Sequence, residues 1–226
     1  MPAAKALRPK RLSPAERARI GAIFEILARD RPNPKTELEF KTGDAFTLVV
    51  AVALSAQATD KGVNKATGPL FAVADTPAKM AELGEEGLMR FIRTIGLYRT
   101  KARNVIKLSH ILLDQYGGKV PLEREALMSL PGVGRKTASV VLNELGIEPA
   151  IAVDTHVFRV AHRLKLASGK TPDQVEAELM AKVPEEYLTR AHHLLILHGR
   201  YVCIARKPKC LECPIAMLCP SRDLFV

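Results

Sequence analysis

The stretch Leu130-Pro131-Gly132-Val133-Gly134-Arg135-Lys136-Thr137-Ala138 decides how this chain is read. Two glycines two apart, behind a proline, let the backbone bend sharply and expose its N–H groups. Arg135 then begins a run with helical spacing through Ala138, Val141, Leu142 and Leu145. The first turn of a helix carries unpaired donors and a partial positive charge, so Gly132, Val133, Gly134 and Arg135 form a corner that can hold a phosphate. Lys136 stands beside that anion. It reads either as a phosphate-binding cation in a non-catalytic hairpin or as a nucleophilic amine.

Outward from this corner the pattern is helix after helix, with no period-two strand. Pro121 opens a short helix through Leu127, so a helix, a hairpin and a helix occupy about 124–145. Upstream, Asp44 starts an apolar helix over the twelve residues Ala45 to Ala56, followed directly by Gln57. That run is well short of the roughly 20 residues a membrane span needs and reads as a buried helix. Thr59 or Asp60 caps the next helix. Thr76-Pro77 starts another that Gly84 stops, and Leu88, Phe91, Ile92 and Ile95 lie on one face of a further helix ending at Gly96. The longest clear helix starts near Arg99 and ends at Gly117-Gly118, a C-terminal glycine signal.

At the ends of the chain, Ser13-Pro14-Ala15-Glu16 and Thr171-Pro172-Asp173-Gln174 are capping boxes, and a long helix runs from about Glu185 to Arg200. Asp154 sits where an N-cap would, before Val157, Val160 and Ala161. The arm from Met1 to Lys10 is basic without an apolar core, so it is not a secretory signal, and cytoplasm is the expected compartment. At 226 residues and 47% hydrophobic, the chain can bury a real core as one large domain or two tightly packed ones. The formal charge of +10 favours a polyanionic partner, although basic proteins with other roles share it.

Cys203, Cys210, Cys213 and Cys219 are the only cysteines, confined to the last 24 residues with spacing C-x6-C-x2-C-x5-C. A chain without other cysteines has little reason for two disulfides there, so the four read as a metal site. Spacing alone leaves a zinc ion and an iron–sulfur cluster equally open. Between the first two ligands, Arg206, Lys207 and Lys209 lie on a loop without acids. Pinning both ends of that loop lowers the entropy its cations lose on meeting phosphate.

The hairpin, Val153-Asp154-Thr155-His156, Leu54-Ser55-Ala56-Gln57-Ala58-Thr59-Asp60 and the cysteine pattern together resemble the bacterial endonuclease III family of helix-hairpin-helix DNA glycosylases. The likeness runs from about Thr36 to the last cysteine. It implies an all-α fold of two helical domains flanking a DNA-binding cleft: a six-helix domain over 38–148, and a cluster domain from 1–37 plus 149–226. It implies a [4Fe-4S] cluster, a monomer, and duplex DNA with an oxidised pyrimidine or an abasic site as partner. The enzyme would be cytoplasmic, associated with the nucleoid when on DNA.

By the same resemblance Lys136 is the catalytic nucleophile and Asp154 its acid or base partner. Gln57 and Leu97 are the residues that fill the gap left by an extruded base. Ser55 and Asp60 lie near the pocket, with Asp60 also capping a helix, and His156 touches phosphate. An amine must be neutral to attack carbon, and Arg135, the helix N-terminus and partial desolvation are expected to lower the pKa of Lys136. Asp154 has a plainer reading as an N-cap, and one carboxylate can do both jobs. His192, His193 and His198 lie near the cysteines, but four thiolates already complete a ligand set. The chain departs from some relatives at Met128, where they carry an acid. The competing functions are a monofunctional, adenine-mismatch-type glycosylase, against which Lys136 speaks, and a hairpin module that only binds DNA.

Overall fold

The computed structural model describes residues 12–226, so the basic arm from Met1 to Lys10 lies outside the described residues. Every regular element among them is helical: α1 (Pro14–Asp30), α2 (Ala45–Ser55), α3 (Asp60–Val73), α4 (Pro77–Ile92), α5 (Tyr98–Tyr116), α6 (Arg124–Met128), α7 (Arg135–Glu144), α8 (Thr155–Arg163), α9 (Pro172–Lys182) and α10 (Leu188–Tyr201), with short 3-10 turns toward the C-terminus. None of these helices is long and apolar enough to cross a membrane. The chain divides into two compact units, Thr36–Pro149 and the two flanking segments ending at Lys35 and beginning at Ala150.

Thr36–Pro149 is built around α2. Phe46 through Leu54 are all buried, and α3, α5 and α7 pack on this helix. A helix apolar all round has no face to give to water, so its neighbours must surround it. Local chemistry sets where these helices start. Asp44 accepts the Thr47 N–H, Thr59 the Gly62 N–H and Thr76 the Lys79 N–H, each filling one of the orphan donors of a first turn. Asp60 is therefore the first helical residue of α3 and Thr59 is the cap, because only the preceding side chain can reach back over the first turn. Gly84, at φ 68° and ψ 174°, breaks α4 into two segments at the expected point. The second segment ends at Ile92, not Gly96. Similarly, α6 begins at Arg124 rather than Pro121; the chain stays non-helical until Glu123.

The other unit packs α1, α8, α9 and α10 around Phe24, Leu27, Val157, Val160, Leu179 and Leu194. Cys203, Cys213, Leu218 and Cys219 lie against the same core. Thr171 and Gln174 close a complete capping box at α9, whereas Ser13 makes its side-chain half by accepting the Glu16 N–H. The expected helix from Glu185 begins as a 3-10 turn, Glu185–Tyr187, before α10. α8 and α10 approach closely at Gly199, where a Cβ would stand 3.0 Å from the His156 Cβ.

Candidate active site and metal centre

The hairpin between α6 and α7 turns at Gly132, whose φ of +81° lies in the left-handed region that glycine enters without strain. Glycine serves a second purpose here, since a Cβ would come within 3.2 Å of Asn104 on α5. Val133 donates its N–H to the Leu130 carbonyl at 3.1 Å and buries its side chain. Whatever meets this residue from outside therefore meets backbone. Gly134 is the N-cap of α7, which has neither a side-chain cap nor an acid in its first turn. The positive end of α7 is thus left for an external anion.

Lys136 is the second residue of α7 and is exposed, as is Arg135 before it.

Gln57 and Leu97 share a depression with Ala53, Ala56, Thr100, Lys101, Asn104, Val105 and Gly132. Both are non-glycine residues in the left-handed region, at φ 55° and 60°, and both are exposed, Leu97 by 62%. Backbone strain at two apposed turns, one presenting an amide and the other a bare leucyl group, is the kind of cost functional sites carry. Ser55 spends its hydroxyl on the Val52 carbonyl at 2.8 Å.

Sequence reading missed Lys101, which is 8% exposed and donates to the Leu54 and Ala56 carbonyls at 2.9 and 2.6 Å. It satisfies the end of α2 immediately before the Gln57 turn, and burial lowers its pKa from the ordinary lysine value. On the sequence Lys101 is one basic residue among several at the start of a helix, and nothing there reveals that α2 ends against it.

In the other unit Asp154 is the N-cap of α8. One oxygen, Oδ1, accepts both the His156 and the Val157 N–H, at 2.9 and 2.8 Å. Neither bond uses Oδ2. His156 is half-buried, with Nδ1 3.2 Å from the Arg159 guanidinium.

All four cysteines are free thiols lining one cavity, together with Leu164, Val202, Pro208 and Ala216. Burial pushes the Cys213 thiol up to about 11 and raises Cys219 as well. Thiols held neutral in this way need a cation to become thiolates. Four soft sulfur donors around one apolar cavity suit a thiolate-bound metal group.

The surroundings add donors that spacing did not foretell. Arg163 Nη1 lies 3.4 Å from Cys203 Sγ and also donates to the Ile204 carbonyl at 2.7 Å. Arg159 holds the Cys203 and Gly199 carbonyls at 3.0 and 2.8 Å. His198 Nε2 is 3.8 Å from Cys213 Sγ, and burial depresses that imidazole to about 4. His192 turns away, to the Ala152 carbonyl at 2.8 Å. Arg206, Lys207 and Lys209 are all exposed on the loop between Cys203 and Cys210, with Lys207 left-handed at φ 53°. Lys209 closes that loop by donating its N–H to the Val202 carbonyl at 3.0 Å.

Comparison with known proteins places these features in a family. Residues 50–185 match the model described as HhH-GPD superfamily base excision DNA repair protein. Residues 203–219, the first cysteine to the last, match the iron-sulfur binding domain of endonuclease III. The chain is 58% identical over 200 residues to endonuclease III of Rickettsia conorii, covering 88% of this chain and 94% of that protein. Against endonuclease III of Escherichia coli K12 it is 56% identical over 203 residues, covering 88% and 95%. A solved structure described as a trapped endonuclease III-DNA covalent intermediate superposes with a TM-score of 0.86 at 43% identity, covering 95% of this chain and 99% of that one. A thermostable thymine-DNA glycosylase, 23% identical with a TM-score of 0.79 over 93% and 98% of the two chains, shares the fold.

Proposed function

The chain belongs to the endonuclease III family; it is a DNA glycosylase and abasic-site lyase of base excision repair with a [4Fe-4S] cluster, and we propose that Lys136 is its nucleophile. The observation that carries this reading is an exposed amine one residue inside an uncapped helix N-terminus, directly after a glycine turn. A phosphate held on that terminus delivers the adjoining sugar to the amine.

The neutral Lys136 amine attacks C1′, the N-glycosidic bond breaks, and the base leaves with a proton; the C1′–O4′ bond then breaks, O4′ takes the proton the amine gives up, and a protonated imine joins lysine to the opened sugar. The resulting iminium acidifies C2′; loss of that proton expels the 3′ phosphate by β-elimination, and water then hydrolyses the imine to free the lysine. Asp154 is the proposed acid–base partner. Its Oδ1 is committed to the α8 cap while Oδ2 is left to accept the lysine proton or to stabilise the cationic sugar.

The proposed substrate is duplex DNA with an oxidised pyrimidine such as thymine glycol, or with an abasic site. Extruding the nucleotide costs a few kcal/mol, which Gln57 and Leu97 offset by occupying the vacated space. Gly132, Val133, Gly134 and Arg135 hold the backbone, with His156, Arg206, Lys207 and Lys209 as further phosphate contacts and Ser55 and Asp60 near the pocket. Cys203, Cys210, Cys213 and Cys219 are the proposed cluster ligands; the bound cluster pins the basic loop and takes no part in the steps above. In this division of labour 38–148 supplies the nucleophile, while 1–37 plus 149–226 supplies the cluster and the acid, in a cytoplasmic monomer.

Incubation with duplex containing thymine glycol or an abasic site, followed by borohydride, tests the reading. A covalent protein–DNA adduct is expected. Intact, cluster-loaded protein that releases base without ever forming an adduct would assign it to the monofunctional class.

A further inference from the structure

Arg90, Arg93, Arg99 and Arg103 converge on one open groove between α4 and α5, lined also by Tyr98, Met89 and Glu85. All four guanidinium groups are exposed, and none makes an ion pair among the described residues; Glu85 is the only acid in the lining. Four like charges in one concavity repel each other, and the partners the fold offers Arg99, the Tyr98 hydroxyl at 3.1 Å and the Tyr98 ring, are uncharged. Arg90 and Arg93 sit at the C-terminal end of α4, where cations complement the helix dipole. Arg99 sits in the first turn of α5, where a cation opposes the dipole, and that turn holds no acid and no side-chain cap. A charge placed against the local field is accounted for by an anion that it meets.

The groove also has a defined place relative to the turn at Leu97. Along α5, Thr100, Lys101, Asn104 and Val105 face the depression shared with Gln57 and Gly132, whereas Arg99 and Arg103 project from the opposite side of the helix. Leu97, the N-cap of α5, lines the depression shared with the hairpin's Gly132, and the arginine groove opens on the other face of the same helix end.

We propose that this groove is a second phosphate-binding site, taking the backbone of the DNA strand opposite the damaged one. The assignment rests on the reading of Leu97 as a wedge: a side chain inserted between two backbones has one strand on each side. With the hairpin gripping the damaged strand, the groove beyond Leu97 meets the other. Guanidinium groups suit the task because each offers paired donors to phosphate oxygens.

The test uses the full-length, cluster-loaded protein and anisotropy of a labelled undamaged duplex across a salt series. For Arg99→Gln/Arg103→Gln the slope of log K against log salt should flatten by about 1.8, or 0.9 for each of two lost phosphate contacts. Lys107→Gln/Lys119→Gln, which removes the same charge from exposed positions outside the groove, should leave the slope near wild type. An unchanged slope in the arginine variant, or equal flattening in the lysine variant, overturns the site.

A patch of uncharged methylphosphonates then identifies the strand. Placed in the undamaged strand of an abasic duplex, it should weaken wild type and leave the arginine variant unaffected; a difference between wild type and the arginine variant that arises only with a patch in the damaged strand overturns the strand assignment. Borohydride trapping is the separate readout of the lyase reaction. Its failure in every protein, wild type included, would strike the lyase mechanism while the salt slopes still decide the groove.

Discussion

The Lys101 ammonium donates to the Ala56 carbonyl at 2.6 Å, one residue before the left-handed turn at Gln57. A buried lysine thereby ties the start of α5, and with it the Leu97 turn, to the end of α2. Lys101→Met keeps the packing and removes the donor, leaving the Leu54 and Ala56 carbonyls without it. The expected cost is about 1–3 kcal/mol, read as a fall in Tm of about 2–4 °C per kcal/mol. An unchanged Tm would mean that water replaces the ammonium at no cost.

Gly132→Ala puts a Cβ on a residue at φ +81° and presses it against Asn104 at 3.2 Å. The left-handed conformation alone costs about 1–2 kcal/mol for an alanine, and the side chain also covers the backbone a phosphate would approach. Duplex affinity should fall more than stability does. Wild-type binding in a variant of reduced Tm would remove Gly132 from the proposed DNA surface.

The cluster gives a visible signature. The purified protein should show thiolate-to-iron charge-transfer absorption in the visible, and each Cys→Ser variant should lose it. Because Cys203, Cys213 and Cys219 lie against the core of their unit, cluster loss should also open the Arg206–Lys209 loop to trypsin. Colourless protein holding one equivalent of zinc would contradict this.

Acid stability has a local contribution at Glu178. Burial works to raise the pKa of this carboxyl, but the Lys182 ammonium at 3.1 Å and the Ser168 N–H at 3.2 Å outweigh it, and the net value lies below the ordinary 4.5. A lowered folded pKa adds stability that is complete above the unfolded value and is lost as pH falls through the folded one. Urea midpoints for wild type and Glu178→Gln should therefore converge as pH falls from neutral to below the ordinary carboxylate value. The gap at neutral pH should be no more than about 1 kcal/mol, as expected for a partly exposed pair. A constant gap would place the effect elsewhere.

What was legible in the chain was what is local. The caps at Asp44, Thr76 and Thr171, the break at Gly84 and the glycine end of α5 each depend on a few neighbouring residues, and sequence shows all of them. Pro121 misled because proline permits a helix start without requiring one, and the chain waits for Glu123. Asp60 misled because two adjacent residues had cap chemistry and only geometry chooses Thr59.

The supporting residues of the site were not legible for the opposite reason. Lys101 bonds to residues forty or more positions away, and so do Arg159 and Arg163 at Cys203. On the sequence each is a cation on a helix; its burial and its partner exist only once the helices pack.

The central claim is that the Lys136 amine becomes bonded to the sugar, and the most direct measurement is to locate that bond. Duplex with an abasic site is reacted with the protein, reduced with borohydride, stripped of DNA and digested, and the peptide carrying the deoxyribose remnant is sequenced by mass spectrometry. The account predicts the remnant on Lys136, and no adduct at all from Lys136→Gln that still binds duplex. A remnant on another lysine, or undiminished trapping by Lys136→Gln, would contradict it.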